Sequence, residues 1–166
     1  MEANLKQKLN DDLKQSMRDK DTVKTSTLRM LLSAIKYAEM KRQETDFDKK
    51  GVVGEYQQYA LNDTDILGVI AKEIKQREDS IAAYKAGNRQ DLVDKESVEM
   101  AILKSYMPEQ LSRDEIIAEA WKTISEVGAR GPADKGKVMG KLVASLKGKA
   151  DGKTINEVVT EILSSM

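Results

Sequence analysis

Residues 112–128 read SRDEIIAEAWKTISEVG, and this stretch decides the fold class. Ser112 followed three positions later by Glu115 is a capping box: each side chain takes up a backbone N–H that the first helical turn leaves without a partner. Ile116, Ile117, Ala120, Trp121 and Ile124 then recur at helical spacing, and Gly128 supplies a stop. The spacing predicts a helix with one apolar face and places Trp121 in the core.

The same signals continue toward the N-terminus. Pro108 ends a helix predicted over about 89–106, whose apolar side holds Leu92, Val93, Val98, Ile102, Leu103 and Tyr106. Asn62 with Asp65 three residues on is a variant of the capping box, and Ile66, Ile70, Ile74, Ile81 and Tyr84 carry that helix to Gly87. Over about 22–44, Val23, Leu28, Leu31, Leu32, Ile35 and Ala38 share one side, which leaves Arg29, Lys36 and Glu39 to solvent. Leu5, Leu9, Leu13 and Met17, four residues apart, predict a first helix over 3–18 that the Asp19-Lys20-Asp21 turn ends. Between 45 and 61 the periodicity fails, and DFDKKG with two glycines predicts a mobile loop.

Toward the C-terminus, Val138, Met139, Leu142, Val143 and Leu146 predict a short helix near 134–147. Ile155, Val158, Val159, Ile162 and Leu163 predict another near 152–164. No stretch alternates with period two for long enough to make a strand. The expected fold is all-α, with a helical N-terminal domain over 1–108 and a small three-helix domain over 109–166.

Composition narrows the chemistry. The 166 residues contain no cysteine and no histidine, which removes disulfides, thiolate nucleophiles, the commonest general base and the commonest transition-metal ligand. No catalytic residues, metal or cofactor are expected. No apolar run approaches the roughly 18 residues that cross a bilayer, so no membrane partner is expected. The N-terminus mixes Asp and Glu with its lysines, unlike a secretory or mitochondrial leader. The expected location is cytoplasmic.

Formal net charge is zero, so the distribution of charge has to decide the partner. From Gly128 to Lys153, seven cations stand against Asp134 and Asp151, a local net of +5, and six of the ten glycines fall in the same stretch. On a helical projection of 134–147, Lys137, Gly140, Lys141 and Ala144 lie opposite Val138, Leu142 and Leu146, giving a face that is positive and low in relief. Lys135, Gly136, Lys147, Lys149 and Lys153 extend this candidate anion site, and the entries to the two short helices add N–H groups suited to phosphate. With Trp121 assigned to the core, nothing here offers a stacking platform for splayed bases. Structured RNA or DNA, held by its phosphates, fits better than a single strand.

Two imitations of a phosphate-binding loop fail on physical grounds. GPADKGKV at 131–138 has Val138 where a magnesium-binding Ser or Thr is needed. GKADGKT at 148–154 is one residue short between its glycines, and neither stretch follows a strand. The acid pairs Asp11 with Asp12 and Asp63 with Asp65 sit at helix ends or on polar faces, where capping and solvation explain them.

Four stretches resemble the GatB/YqeY family over essentially the whole chain: STLRMLLSAIKYAEM at 26–40, KEIKQREDSIAAYKAGNRQDLVDKE at 72–96, ILKSYMPEQLS at 102–112, and DKGKVMGKLVASLKGKADGKTINEVV at 134–159. The last is the most specific. The resemblance implies a helical N-terminal domain followed by a three-helix domain similar to the tail of GatB, the amidotransferase subunit that helps recognise tRNA. It implies a tRNA-binding or tRNA-handling accessory protein. A first alternative is a non-catalytic component of a carbon-nitrogen ligase using glutamine as amide donor, working with an amidotransferase-like partner. A second, from the residues alone, is a helical adaptor whose N-terminal domain or 45–61 loop holds another protein.

Overall fold

The helix stops and caps foreseen around Ser112 and Asn62 form as reciprocal hydrogen bonds. Glu115 N–H donates to Ser112 Oγ at 3.2 Å, and Ser112 N–H donates to Glu115 Oε2 at 2.7 Å. Asp65 N–H donates to Asn62 Oδ1 at 2.8 Å, and Asn62 N–H to Asp65 Oδ2 at 3.3 Å. The computed structural model describes residues 4–166, and the described residues are helices and connecting turns with no strand. In chain order the helices are α1 (Leu5–Arg18), α2 (Thr22–Lys50), α3 (Asp63–Ala86), α4 (Gln90–Lys104), α5 (Arg113–Val127), α6 (Lys135–Ser145) and α7 (Gly152–Ser164). The start predicted at residue 3 lies outside the described residues. No helix among them is long and apolar enough to cross a membrane.

The chain divides into a first unit that ends at Tyr106 and a second over Met107–Met166. In the first, α3 packs mainly on α4 and α1 on α2. Leu9, Leu28, Leu31, Ile35, Ile66, Ile70 and Leu103 fill its interior. The second is α5, α6 and α7 around one apolar cluster that includes Ile116, Ala120, Ile124, Val138, Leu142, Leu146, Ile155, Val158 and Leu163.

Several expectations need correction. The segment 45–50 is not loop: α2 continues to Lys50, and Gly51, at φ +72°, ends it by donating its N–H to Phe47 O at 2.7 Å. Ion pairs one turn apart, Lys41 with Glu44 and Asp46 with Lys50, support the polar extension, and Tyr59 Oη donates to Asp46 at 2.8 Å. Glu39 is not at the solvent face; it is 2% exposed. It accepts from Lys6 Nζ at 2.7 Å, Tyr56 Oη at 2.6 Å and the Leu61 N–H at 3.0 Å, so one carboxylate ties α1, α2 and the segment before α3 together. Met17, Val23, Val98 and Val143 are exposed although their spacing assigned them to apolar faces.

A second buried charge group joins α3 to α4. Arg77 Nη1 donates to Glu73 Oε2 at 2.9 Å and to the Glu73 carbonyl at 3.2 Å, while Nε stands 3.4 Å from Glu99 Oε2 without a hydrogen bond. Asp12 accepts from Tyr106 Oη at 2.6 Å, and Asp63 accepts the Leu5 N–H at 3.0 Å. Asp65 caps α3 as its place in the sequence suggested, whereas Asp12 and Asp63 each also join separate segments, which the capping and solvation reading did not foresee.

Candidate nucleic-acid interface

The site is built on α6. This helix is short, and it forms because Val138 and Leu142 on one side, with Leu146 just past its end, bury completely or nearly so against α5 and α7. The opposite side is then forced outward: Gly136, Lys137, Gly140, Lys141 and Ala144 are all exposed. A Cβ placed on Gly136 or Gly140 would meet no atom within 4 Å, so the space over both is open. The face is low at Gly136, Gly140 and Ala144, and Lys137 and Lys141 stand one turn apart upon it.

Its charge is partly engaged. Lys141 Nζ lies 2.6 Å from Glu126 Oε2 on α5, and its hydrogen bond holds the Glu126 carboxyl below its usual value. Lys137 Nζ is 3.8 Å from Asp134 Oδ1. The Lys141 pair is exposed and the Lys137 pair partly so, and water and salt screen them.

The helix entries differ from expectation. A 3-10 turn, Pro132–Asp134, runs directly into α6, so the N–H groups of Asp134 and Lys135 are taken by Gly131 O and Pro132 O. The Asp134 carboxylate also sits at this entry, accepting the Arg130 N–H at 2.9 Å. The N–H of Lys135, the first donor of α6, is therefore already engaged. The entry of α7, at Asp151, has no side-chain cap.

The remaining predicted residues do not share the α6 face. Lys135 is half-buried, whereas Lys147, Lys149 and Lys153 are exposed around the turn into α7. That turn is pinned: Leu111 N–H donates to Lys149 O at 2.9 Å, Gln110 Nε2 donates to Gly148 O at 2.8 Å, and Gly148 adopts φ +81°. Lys147 lies past the C-terminal end of α6 at Ser145, which is itself roughly 12 Å along the helix axis from Lys137. The basic segment is thus two clusters, one on α6 and one at the α6–α7 turn.

Trp121 corrects the aromatic argument, because it is 48% exposed. Ile116, Ala120 and Ile124 fill the core side of α5, and Trp121 falls at the edge of their stripe. At 100° per residue it stands about 140° around α5 from Glu126, the residue that meets Lys141. The exposed ring therefore does not join the lysine-bearing face. Sequence reasoning also missed Glu126 and Arg113, which lies 2.6 Å from Glu161 on α7; both partners are too distant in sequence for a single-helix pattern to reveal. Among the described residues, no group of three or more carboxylates is placed to hold a metal ion.

Comparison with known proteins gives the lineage. The family model described as "Yqey-like protein" matches residues 6–163. The chain is 33% identical over 149 residues to a Kluyveromyces lactis protein named "Altered inheritance of mitochondria protein 41, mitochondrial", covering 89% of this chain and 69% of that one. It is 35% identical over 133 residues to the Lachancea thermotolerans protein of the same name, covering 79% and 62%. The match to the Vanderwaltozyma polyspora protein is 36% over 99 residues, covering 60% of this chain and 46% of that one. The chain thus spans between 46% and 69% of the length of these relatives. Their shared name overturns the cytoplasmic expectation, which rested on the absence of cysteine, on the lack of a long apolar run and on the mixed charge of the N-terminus; none of these is a property of one compartment. With its model matched across nearly every described helix, the chain belongs to the Yqey-like protein family.

Proposed function

We propose that the second unit holds the phosphate backbone of a folded RNA, and that the class of RNA is tRNA. The observation that carries this reading is the open space over Gly136 and Gly140 beside the exposed Lys137 and Lys141. A backbone without side chains lets a bulky phosphate approach closely, and lysine serves phosphate as a mobile point charge. The ion pair of Lys141 with Glu126 is exposed and is readily exchanged for a phosphate.

Lys149 and Lys153 near the next turn supply further contacts along a backbone that spans both clusters. No aromatic ring accompanies the α6 face, so recognition there is by shape and charge and not by base stacking. The choice of tRNA rests on the resemblance of the 134–159 segment to the GatB tail.

The test is the affinity of the full chain for tRNA as salt is raised from about 50 to 200 mM. About four phosphate contacts give a slope near −3 in log affinity against log salt. Affinity that does not respond to salt, or that is matched by an unstructured polyuridine strand, would remove the proposal.

A further inference from the structure

Helix α2 is apolar on two sides, and one of them is exposed among the described residues. Leu28, Leu31 and Ile35 face the interior. On the outside, Val23, Met30, Tyr37 and Glu44 repeat every seven residues, and Ser26, Ser33, Met40 and Phe47 repeat every seven between them. The two sets interleave at steps of three and four from residue 23 to 47, and all eight positions are exposed. The five apolar members expose between 42% and 61% of their surface. Scattered exposed hydrophobics are ordinary, but a seven-residue line over roughly 36 Å of helix, with Ser26, Ser33 and Glu44 as its polar members, has the spacing of a coiled-coil seam.

The edges of the seam state what covers it. Arg29 and Lys36 border it on one side and Lys41 on the other, and among the bordering positions the one acid is Asp48, at the C-terminal end of the seam. The acid within the seam, Glu44, is bonded to Lys41 at 2.7 Å, so that pair is locally neutral and Arg29 and Lys36 carry the positive charge of the edges. A second copy of this chain is a poor occupant. Laid parallel in register, it sets Lys36 against Lys41; laid antiparallel, it sets the Arg29 and Lys36 edge against itself. We propose that the outer face of α2 docks a single amphipathic helix of another protein, apolar along its own seam and acidic along its edges. These residues all belong to the first unit, so the proposal stands apart from the RNA reading.

The probe is a synthetic four-heptad helical peptide with Leu at both seam positions and Glu at both bordering positions. Its control carries Lys at the borders. Titrated against the full-length protein by fluorescence anisotropy, the Glu peptide is expected to bind at least tenfold tighter than the Lys peptide. Tyr37→Ser with Met40→Glu should weaken it at least tenfold with unchanged circular dichroism. Arg29→Glu with Lys36→Glu should reverse the preference toward the Lys peptide. No binding of the Glu peptide, equal binding of both peptides, or indifference to these variants would overturn the proposal. Sedimentation velocity of the protein alone should show no association through this face, and a dimer dispersed by Met40→Glu would assign the seam to a second copy instead.

Discussion

In the first unit Glu39, Arg77 and Glu99 are buried to 6% exposure or less, and each holds groups from another helix or segment. In the second unit the buried polar residue is Thr123, whose hydroxyl donates to the Glu119 carbonyl within its own helix, while the rest of the interior is apolar. Charge inside a protein makes geometry costly to change, because each ion left without its partner is stranded in a poor solvent. Charge outside stays available. The first unit uses ions to fix how its helices meet, and the second keeps its cations on the surface, where a polyanion can reach them.

The contrast is broken most strongly at Arg77. Arg77→Met leaves the Glu99 carboxylate buried and unpaired, and should cost the first unit about 3–5 kcal/mol in urea denaturation. Adding Glu99→Leu should recover most of that loss. A double variant no better than the single one would show that the ions themselves are indispensable, and hydrogen exchange would show whether the loss is confined to the first unit.

Glu39 sets a pH dependence of the same origin. Burial favours its neutral form, but the hydrogen bonds from Lys6, Tyr56 and Leu61 and the Lys6 charge outweigh it, so its pKa falls below the usual carboxylate value. A lowered folded pKa contributes stability that is complete above the unfolded value of about 4.3 and is lost as pH falls through the folded one. Denaturation midpoints of the first unit should therefore drop on acidification below about pH 4.5. Glu39→Gln should remove part of that drop. Equal acid sensitivity in the variant would show that other carboxylates dominate.

A smaller and opposite effect sharpens the account of the second unit. Gly140 lies inside α6 with open space beyond it, so Gly140→Ala should raise stability by about 0.5–1 kcal/mol through helix propensity alone. The same methyl stands on the proposed phosphate-facing surface and should weaken tRNA binding by a few-fold in filter assays. Stabilisation with undiminished binding would move the phosphate away from α6.

How much of this was legible depends on the kind of interaction. Caps act within four residues, so Asn62 with Asp65 and Ser112 with Glu115 are visible in the sequence and form as read. Core stripes act within one helix, so Ile66, Ile70 and Ile74, or Val138 and Leu142, are visible too. Glu39 was hidden because its partners lie 17, 22 and 33 residues away, and polarity alone assigns a lone glutamate to water. The 45–50 extension was hidden because its support is polar, although Lys49 and Lys50 followed by Gly51 are a helix-ending signal that could have revealed it. Trp121 belongs to the stripe by spacing but lies at its edge, where three packed helices leave a large ring half outside. In the candidate site, the open face of α6 was readable because its core side is. The engagement of Lys141 by Glu126 was not, since it depends on how α5 and α6 pack.

The most direct measurement is tRNA affinity against salt for Lys137→Glu combined with Lys141→Glu, beside the unchanged chain. Removing two of about four phosphate contacts should weaken binding at least tenfold at low salt and flatten the slope from near −3 to about −1.5. Circular dichroism should be unchanged, because both side chains are exposed. Unaltered affinity and slope in the folded variant would contradict the assignment of the α6 face to RNA.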